Sequence, residues 1–495
     1  MSTRTAWLFV LSLILAFTLT AQEKKKPLRL TMDEKLDLTL KNTEPLKFPR
    51  GDRLPLFFWH THTPGDLCGG DEAKIEETLK ALDARALPVV HVWRHNPQPE
   101  KRRPVMEQCI KLGKIQNRLG LPVYAFAGNT GDGFYKDENT WHIDADGNRF
   151  PDTTHVEKMK LGCPFVKDGW PAVQDQVREW AKCYKDNGVA LDGVWFDWEF
   201  QGPSEWNGAW EMCRKCVRCQ KELGEEGLKD FSVFQKSIRE IRSAMQKLFV
   251  DAIHELFPKA TVANYGCYPM GEYRYWYDFY EKYVDGAPAK RVQGAIYRKW
   301  FRDEFALTGF DIGMPVVYGW GWTYGWFDYA DTDFRWFQNM LSVFSNCAAN
   351  RPKAVPIINF INRFVELDSM PKDTVPISEE KYKELLWHLW LRGTDGMYIW
   401  SRNEDLLREL VPVHSTYASA LEYKDLLSKG EPLIFDVPEK EGPVLSAIHL
   451  GDRLLVRRTD FGKPPSTEDA FIEVGGKKVS VPAAMSGKTV VLEIK

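Results

Sequence analysis

The chain has 495 residues, of which 27% are charged, and a formal net charge of -3 at pH 7. This near-neutral balance does not favour nucleic acid or an anionic membrane surface as the main partner, because both attract basic surfaces. The length is sufficient for one large core and one smaller core. The 19 tryptophans and 18 tyrosines favour either an aromatic core or a surface on which a neutral ligand stacks.

The chain begins with the features of a secretory signal. Residues 1–21 contain a basic residue, Arg4, then an apolar run over 6–19 and a small residue, Ala21, ahead of the charged QEKKK. This pattern predicts cleavage after Ala21 and a secreted or periplasmic location. We interpret residues 22–50 as a polar leader segment. No later stretch is apolar enough to span a bilayer, so we expect no integral membrane segment after signal cleavage.

Eight short apolar runs follow, separated by stretches with helical periodicity. They are LPLFFWH (54–60), LPVVHVW (87–93), LPVYAFA (121–127), LDGVWFDWE (191–199), ATVANYG (260–266), DIGMPVVYG (311–319), AVPIINFI (354–361) and TDGMYIW (394–400). Strands that alternate with helices form parallel βα units, and eight such units predict an α/β fold of the (β/α)8 TIM barrel class. We assign the barrel to residues 51–430. A further apolar stretch, VQGAIYR (292–298), is an extra strand or replaces one of the eight.

The pattern changes after the eighth run. From residue 431 the sequence has short alternating runs, PLIFDV, LSAIHL, RLLVRRT, AFIEV, KVSVP and TVVLEIK, with turn signals such as LGD and GGK between them. Short strands with tight turns predict a small antiparallel β domain, similar to a β-sandwich, over residues 431–495. We expect this domain to be a structural accessory.

The fourth run contains two carboxylates within an apolar strand, LDGVWFDWEF. Alternation along a strand places Trp195, Asp197 and Glu199 on one face. The loop QGPSEWNG follows at once, so the two acids lie at the carboxyl end of the strand, where barrel active sites form. Two neighbouring carboxylates are expected to differ in pKa, which leaves one of them as a general acid. Cleavage of a glycosidic bond needs such an acid.

This run resembles the signature of the family 18 chitinases, D-G-x-D-x-D-x-E, in which the last glutamate is the acid. Asp192, Gly193, Asp197 and Glu199 match, while Trp195 occupies the position of the middle aspartate. The hyaluronidases of family 56 use the same substrate-assisted chemistry with only the terminal D-W-E. The motifs FFWHTHTPGDLC, ATVANYGCYP, GMPVV and GTDGMYIW follow the order seen in that family. The chain therefore resembles a divergent member of these two glycoside hydrolase families, in patches from the first run to the eighth.

The resemblance implies roles for particular residues. Glu199 would be the general acid and base, and Asp197 would orient the 2-acetamido group of the substrate, whose carbonyl oxygen is the nucleophile. Tyr265 resembles a tyrosine that contacts the reacting sugar, and Trp400 resembles a tryptophan that forms the floor of the sugar subsite. Hyaluronidases carry a tyrosine directly before Met-Pro, where this chain has glycine, and Tyr318 is the replacement that the chitinase pattern suggests. The implied substrate is an oligosaccharide or polysaccharide that contains N-acetylhexosamine.

Four more residues are candidates for substrate binding. Asp192 belongs to the signature itself. Trp320 lies in the glycine-spaced aromatic cluster YGWGW, which is typical of an exposed stacking surface. His60 and His62 end the first run, where they could form hydrogen bonds to a sugar in the barrel mouth.

Three alternatives stay open. DGVWFD followed by PSE also resembles retaining α-glycosidases of family 31, in which Asp197 would be a covalent nucleophile and another strand would supply the acid; Asp311 and Asp328 are the nearby carboxylates. His60 and His62 also match the H-x-H of metal-dependent amidohydrolases, but the fifth and sixth runs lack the further histidines of that fold. The third alternative is a barrel that binds glycans without cleaving them.

The nine cysteines form an odd number, so at least one is unpaired within the chain. Three of them lie close together as Cys213-x-x-Cys216-x-x-Cys219. A zinc site would need a fourth ligand, and none lies nearby in the sequence. We expect disulfides, with Cys163 or Cys183 as partners, rather than a metal site or unpaired thiols. No metal or other cofactor is expected.

Overall fold

The structure is a computed structural model. It describes residues 28–63, 66–94, 96, 98–128, 137–153, 160–197, 207–265, 283–284, 287–288, 304–316, 319, 329–366 and 373–494. Within these ranges no helix is both long enough and apolar enough to cross a membrane. The predicted signal, residues 1–21, lies outside the described residues.

The secondary structure alternates between strands and helices up to residue 429 and is mainly strand after it. The strands are β1 (Phe57–Phe58), β2 (His62–Thr63), β3 (Val90–Arg94), β4 (Tyr124–Gly128), β5 (His142–Ile143), β6 (Arg149–Phe150), β7 (Gly193–Asp197), β8 (Thr261–Tyr265), β9 (Tyr283–Val284), β10 (Ala287–Pro288), β11 (Ile358–Ile361), β12 (Gly396–Ile399), β13 (Glu431–Pro432), β14 (Pro443–Leu450), β15 (Arg453–Asp460), β16 (Ala470–Val474), β17 (Lys477–Val481) and β18 (Thr489–Glu493). The α-helices are α1 (Met32–Asn42), α2 (Glu72–Asp83), α3 (Pro99–Leu119), α4 (Trp170–Asp186), α5 (Asn207–Lys215), α6 (Val217–Lys229), α7 (Phe231–His254), α8 (Glu304–Thr308), α9 (Thr332–Asn350), α10 (Glu379–Leu391), α11 (Leu406–Ala420) and α12 (Lys424–Lys429).

Several helices begin or end at residues suited to capping. The side chain of Asp71 accepts hydrogen bonds from the backbone N–H groups of Ala73 and Lys74 at the start of α2. Ser378 accepts from the N–H of Lys381 at the start of α10. Gly120 follows α3 with a φ of 67°, the left-handed conformation that glycine adopts without strain. These caps fix the points at which the chain turns back toward the barrel.

The barrel wall is a closed ring of eight parallel strand positions. One sheet has the order β2-β3-β4-β7-β8 and the other the order β1-β12-β11. The first strand position joins them, because β1 pairs with β12 and β2 pairs with β3. The sixth position closes the other side: the N–H of Asp311 donates to the carbonyl of Val262 at 2.8 Å, and Gly313 forms a parallel bridge with Ile357. The predicted (β/α)8 barrel is confirmed, and the extra run 292–298 lies outside the described residues.

The strand β7 shows the alternation expected of a barrel strand. Phe196 points outward and packs on Phe249 of α7, with 5.5 Å between the ring centroids. Trp195 points inward and contacts Phe57 at 4.7 Å and Tyr398 at 6.0 Å. Aromatic rings therefore fill the barrel interior directly beneath the position of Asp197.

A small antiparallel domain follows the barrel, as predicted. Its main sheet has the order β13-β14-β15-β18, and β16 and β17 form a separate hairpin. Alternation along β14 divides the two faces: Val444 and Ile448 join the core of the barrel, whereas Ala447 joins a small core with Ile472 and Val481 of the hairpin. The sheet therefore lies between the barrel and the hairpin.

Buried polar contacts join this sheet to helix α10. The carboxylate of Glu384 accepts hydrogen bonds from Nε of Arg457 at 2.9 Å and from the hydroxyl of Thr459 at 2.5 Å. The side chains of Glu384 and Arg457 are 9% and 8% exposed. His388 reaches the hydroxyl of Ser446 at 2.7 Å through Nδ1. Paired groups of this kind tolerate burial only while both partners are present.

A helix lies within the segment that we interpreted as a leader. Helix α1 begins with a capping box, in which Thr31 accepts from the N–H of Glu34 and the Glu34 carboxylate accepts from the N–H of Thr31. Its Leu36 is buried in the barrel core. The carboxylate of Asp33 accepts from the N–H of Cys68 at 3.0 Å. The segment 22–50 is thus folded onto the barrel over the part that the structure describes, because it carries an apolar face of its own.

Candidate functional site at the barrel mouth

A cavity of about 690 Å³ opens at the carboxyl ends of the barrel strands. Its size lies within the range of small-molecule sites, and this end of the barrel is the one that carries active sites. The side chains that line it include Lys35, Trp59, His62, Arg94, Phe126 and Asp197. Among the described residues, its lining combines aromatic faces with two cations, one carboxylate and one imidazole.

Four strands present a row of residues at the same level of the mouth. Arg94 of β3 pairs in register with Gly128 of β4, Gly128 with Asp197 of β7, and Asp197 with Tyr265 of β8. A Cβ atom at position 128 would come within 3.1 Å of the Phe126 ring, so glycine keeps the space above that ring open. With strands about 4.8 Å apart, the backbones of Arg94 and Asp197 stand roughly 10 Å from each other across this gap.

The floor of the cavity is a set of rings around His62. The centroid of its imidazole lies 5.1 Å from Trp59, 5.2 Å from Phe126, 5.6 Å from Tyr398 and 5.8 Å from Trp195. Burial lowers the pKa of His62 to about 3, so the ring is neutral at physiological pH. Among the described residues neither ring nitrogen has a hydrogen-bond partner. A buried polar ring without partners costs stability, which makes His62 a candidate for binding a ligand in the cavity.

His60 has different surroundings, although it is only two residues away. Its Nε2 atom lies 2.8 Å from the hydroxyl of Ser401, which ties the first strand to the loop after the eighth. Burial lowers the pKa of His60 to about 4. Within the described part of the chain, neither His60 nor His62 belongs to a group of side chains that could hold a metal. The geometry therefore gives no support to the metal-dependent amidohydrolase alternative.

Two of the predicted site residues lie at the mouth on other strands. Trp400 follows β12, and its N–H donates to the carbonyl of Ile361 at 3.0 Å. Alternation places Trp400 on the same inward face as Tyr398, and its side chain is half-buried. Tyr265 pairs in register with Asp197, but its side chain is outside the described part of the structure. Glu199, Tyr318 and Trp320 lie outside the described residues, so their roles stay predictions.

The structure does not bring Asp192 to the mouth. This residue precedes β7, and its carboxylate accepts a hydrogen bond from the N–H of Val123 at 2.8 Å. Five residues separate it from Asp197, which corresponds to about 16 Å along a strand. Asp192 therefore lies at the amino end of the sheet, where it fixes the register of neighbouring chain segments and cannot reach a substrate in the mouth.

Sequence reasoning missed two cations, Arg94 and Lys35, among the described residues that line the cavity. Arg94 directly follows the second predicted run, and Lys35 belongs to the unpredicted helix α1. Neither forms an ion pair with another residue in the described ranges, and burial lowers the pKa of Lys35. The capping-box pattern from Thr31 to Glu34 was the available signal for α1. The position of Lys35 over the mouth depends on tertiary packing and has no sequence signal.

The expected disulfides are not present among the described residues. None of the eight described cysteines is part of a disulfide. Instead, Cys163, Cys216 and Cys219 converge with His142, and one ligand atom of each lies within 4.8 Å of all the others. The fourth member that the sequence did not supply comes from a distant hairpin, β5–β6. These residues are separate from the cavity described above.

No protein-family model matches the chain, and no curated protein is significantly similar to it. Among solved structures it is similar to an alpha-amylase from Lactobacillus plantarum (11% identity, TM-score 0.45, covering 92% of this chain and 99% of that one). It is also similar to a GH42 beta-galactosidase from G. stearothermophilus (13% identity, TM-score 0.44, covering 76% of this chain and 58% of that one). A third similar structure is an alpha-galactosidase from Lactobacillus brevis (10% identity, TM-score 0.44, covering 90% of this chain and 51% of that one). Similarity at this level decides nothing about function, which depends on the geometry of the site.

Proposed function

We propose that this protein is a glycoside hydrolase that cleaves a glycan containing N-acetylhexosamine, with retention of configuration. The observation that supports this most is the position of Asp197 at the carboxyl end of β7, on the wall of a cavity that also presents Trp59 and Phe126. Aromatic faces and a carboxylate in one cleft suit a neutral sugar ring and the positive charge that develops at its anomeric carbon. Carboxylates at this end of a barrel strand are positioned for catalysis.

The proposed mechanism uses two carboxylates of one strand face. Glu199 is two residues beyond Asp197, and the strand period assigns both to the same face. Glu199 donates a proton to the leaving oxygen while the 2-acetamido oxygen of the substrate attacks the anomeric carbon. Asp197 orients the acetamido group and stabilises the charge on the resulting oxazolinium ring. Glu199 then accepts a proton from the water that opens this ring, so two displacements give net retention.

Other residues of the mouth would bind the substrate. The neutral imidazole of His62 has one donor and one acceptor nitrogen, which suits a sugar hydroxyl group. Trp400 would stack on the sugar beside the reacting centre. Lys35 and Arg94 line the same cavity and would attract a carboxylate or sulfate on a neighbouring sugar. The proposed substrate is therefore an oligosaccharide or polysaccharide, and the proposed location is secreted or periplasmic.

The retaining α-glycosidase alternative needs an acid from another strand, and the described residues offer little for it. The Asp311 carboxylate accepts from the N–H of Val262 at 2.8 Å and lies 3.1 Å from Nε2 of His254. Both contacts hold Asp311 at the amino end of the barrel, opposite the mouth. Asp328 lies outside the described residues.

A substrate screen with matched variants tests the proposal. Wild-type protein is assayed against chitin oligomers, hyaluronan, chondroitin and α-glucans that lack N-acetyl groups. We expect cleavage only of N-acetylated glycans, loss of cleavage in Glu199→Gln with sugar binding retained, and inhibition by a thiazoline mimic of the oxazolinium. Asp192→Asn is the control, because it changes a carboxylate of the same strand at the opposite end and should leave activity unchanged.

Three results would contradict the proposal. Cleavage of α-glucans alone would favour the α-glycosidase alternative. Sugar binding without cleavage by the wild-type protein would favour a glycan-binding barrel. Equal activity in the wild-type and Glu199→Gln proteins would show that Glu199 is not the general acid.

A further inference from the structure

Four buried side chains outside the barrel mouth converge on one point. They are His142 of β5, Cys163, and Cys216 and Cys219 at the start of α6. The Sγ atom of Cys163 lies 3.5 Å from that of Cys219 and 4.0 Å from that of Cys216. Nδ1 of His142 lies 3.6 Å from Sγ of Cys219. All four side chains are buried.

Three of the six distances between these ligand atoms are close to the edges of a zinc tetrahedron, and all six lie within 4.8 Å. Zinc binds cysteine sulfur at about 2.3 Å and histidine nitrogen at about 2.0 Å, which gives tetrahedral edges of about 3.8 Å between two sulfurs and about 3.5 Å between sulfur and nitrogen. The two sulfur–sulfur distances, 3.5 and 4.0 Å, lie on either side of the first value, and the sulfur–nitrogen distance of 3.6 Å is close to the second. A disulfide requires sulfur atoms about 2.05 Å apart and joins only two of the four groups.

We propose that His142, Cys163, Cys216 and Cys219 bind one zinc ion in a Cys3His site. Thiolate and imidazole ligands in tetrahedral arrangement suit zinc better than magnesium or calcium, which prefer oxygen ligands. Four protein ligands leave no position for water, so the ion would be structural rather than catalytic. The proposal departs from the sequence-based expectation of disulfides and no metal.

The surroundings of the sulfurs suit thiolate ligands. Cys216 is the N-cap of α6 and Cys219 lies in its first turn, where the partial positive charge of a helix N-terminus favours an anion. The backbone N–H of Ile143 points at Sγ of Cys216 at 3.5 Å. The ring of His142 stacks on Phe150, with 5.2 Å between centroids and 18° between planes. Such contacts orient the side chains that bind the ion at metal sites.

The four ligands come from two different connections of the barrel. His142 and Cys163 belong to the connection between β4 and α4, whereas Cys216 and Cys219 belong to the one that follows β7. One ion would therefore join the connections that rise from the third and fourth strand positions. The second of these contains residue 199. The zinc proposal does not depend on the glycosidase proposal, since its test measures metal content and coordination.

Metal analysis of the full chain tests the site. The protein is produced in zinc-supplemented medium, without a histidine tag, and purified without chelators. We expect about one zinc ion per chain, and X-ray absorption with about three sulfur and one nitrogen neighbour. Cys163→Ser and His142→Ala should each lose zinc. Cys109→Ser is the matched control, because Cys109 is also a buried cysteine but lies on α3, outside the cluster, and the variant should keep its zinc.

Several outcomes would overturn the proposal. The first is that purified wild-type protein contains no zinc. A second is that mass spectrometry of the denatured, unreduced chain finds these cysteines paired as disulfides. Loss of zinc in Cys213→Ser with retention in Cys163→Ser would contradict the ligand assignment. If the variants fail to fold, the absorption spectrum of the wild-type protein still decides, since oxygen-rich coordination would exclude a Cys3His site.

Discussion

Replacing His62 should stabilise the protein and weaken its function at the same time. The imidazole is 6% exposed and, among the described residues, neither nitrogen has a hydrogen-bond partner. Leucine has a similar volume and no polar atoms to desolvate. We therefore expect His62→Leu to raise the free energy of unfolding by about 1–3 kcal/mol at pH 8. Loss of one hydrogen bond to the substrate should weaken binding by about 1 kcal/mol, or roughly fivefold.

The increase in the free energy of unfolding caused by His62→Leu should depend on pH. The folded chain leaves His62 neutral down to a pKa of about 3, whereas the unfolded chain protonates it below 6.5. Wild-type protein thus loses stability as the pH falls below 6.5, at about 1.4 kcal/mol per pH unit well below that value. For His62 this loss amounts to about 2 kcal/mol at pH 5. A leucine carries no such loss, so the advantage of His62→Leu should be larger at pH 5 than at pH 8 by that amount.

Urea denaturation of both proteins at the two pH values measures this difference. His62→Gln is the control, because it removes the titrating group but keeps a buried polar side chain. Relative to wild type, it should therefore show only the pH-dependent part of the stability gain. An advantage of His62→Leu that is equal at pH 5 and pH 8 would refute the account of a neutral, buried imidazole. Lower stability of His62→Leu at pH 8 would refute the claim that the ring lacks compensating hydrogen bonds.

The remaining predictions concern one stability contact and two parts of the cavity. Glu384→Ala should lower the free energy of unfolding by about 3–5 kcal/mol, because it leaves the buried Arg457 without its carboxylate partner. A double variant with methionine at both positions should recover most of this loss. Chemical denaturation measures both variants, and equal losses in the two would contradict a paired role. Asp197→Asn should lower kcat by about 10²-fold or more, as measured by initial rates on the best glycan of the screen, and unchanged rates would exclude it from catalysis. Lys35→Met and Arg94→Met should each weaken binding of an acidic glycan by about 1 kcal/mol and leave a neutral one unaffected, as calorimetry with both ligands would show; equal weakening of both would indicate a steric rather than an electrostatic role.

The eight strand positions could be predicted because each is a short apolar run between helical stretches. Alternation along β7 then predicted the faces correctly, with Trp195 in the barrel and Phe196 against a helix. Strand polarity alone also predicted that Asp197 lies at the mouth. These inferences depend only on the spacing of residues along the chain, which folding does not change.

The errors came from features that local spacing does not determine. Asp192 matched a motif, but its distance along the strand places it at the wrong end of the barrel for substrate contact. The cysteines Cys216 and Cys219 had no visible fourth ligand, because His142 is more than 70 residues away in the chain and meets them only through the hairpin. Helix α1 lies inside the predicted leader segment 22–50, and the capping box at Thr31 is the sequence feature that marks its start.

The stereochemistry of the first product shows whether cleavage proceeds with retention of configuration. An N-acetylhexosamine oligosaccharide is mixed with the enzyme in an NMR tube, and the anomeric signals are followed before mutarotation. We expect the product to appear first with the configuration of the bond that was cleaved, and we expect Glu199→Gln to give no product signal on the same timescale. Initial formation of the opposite anomer, or the same progress curve with Glu199→Gln, would contradict this expectation.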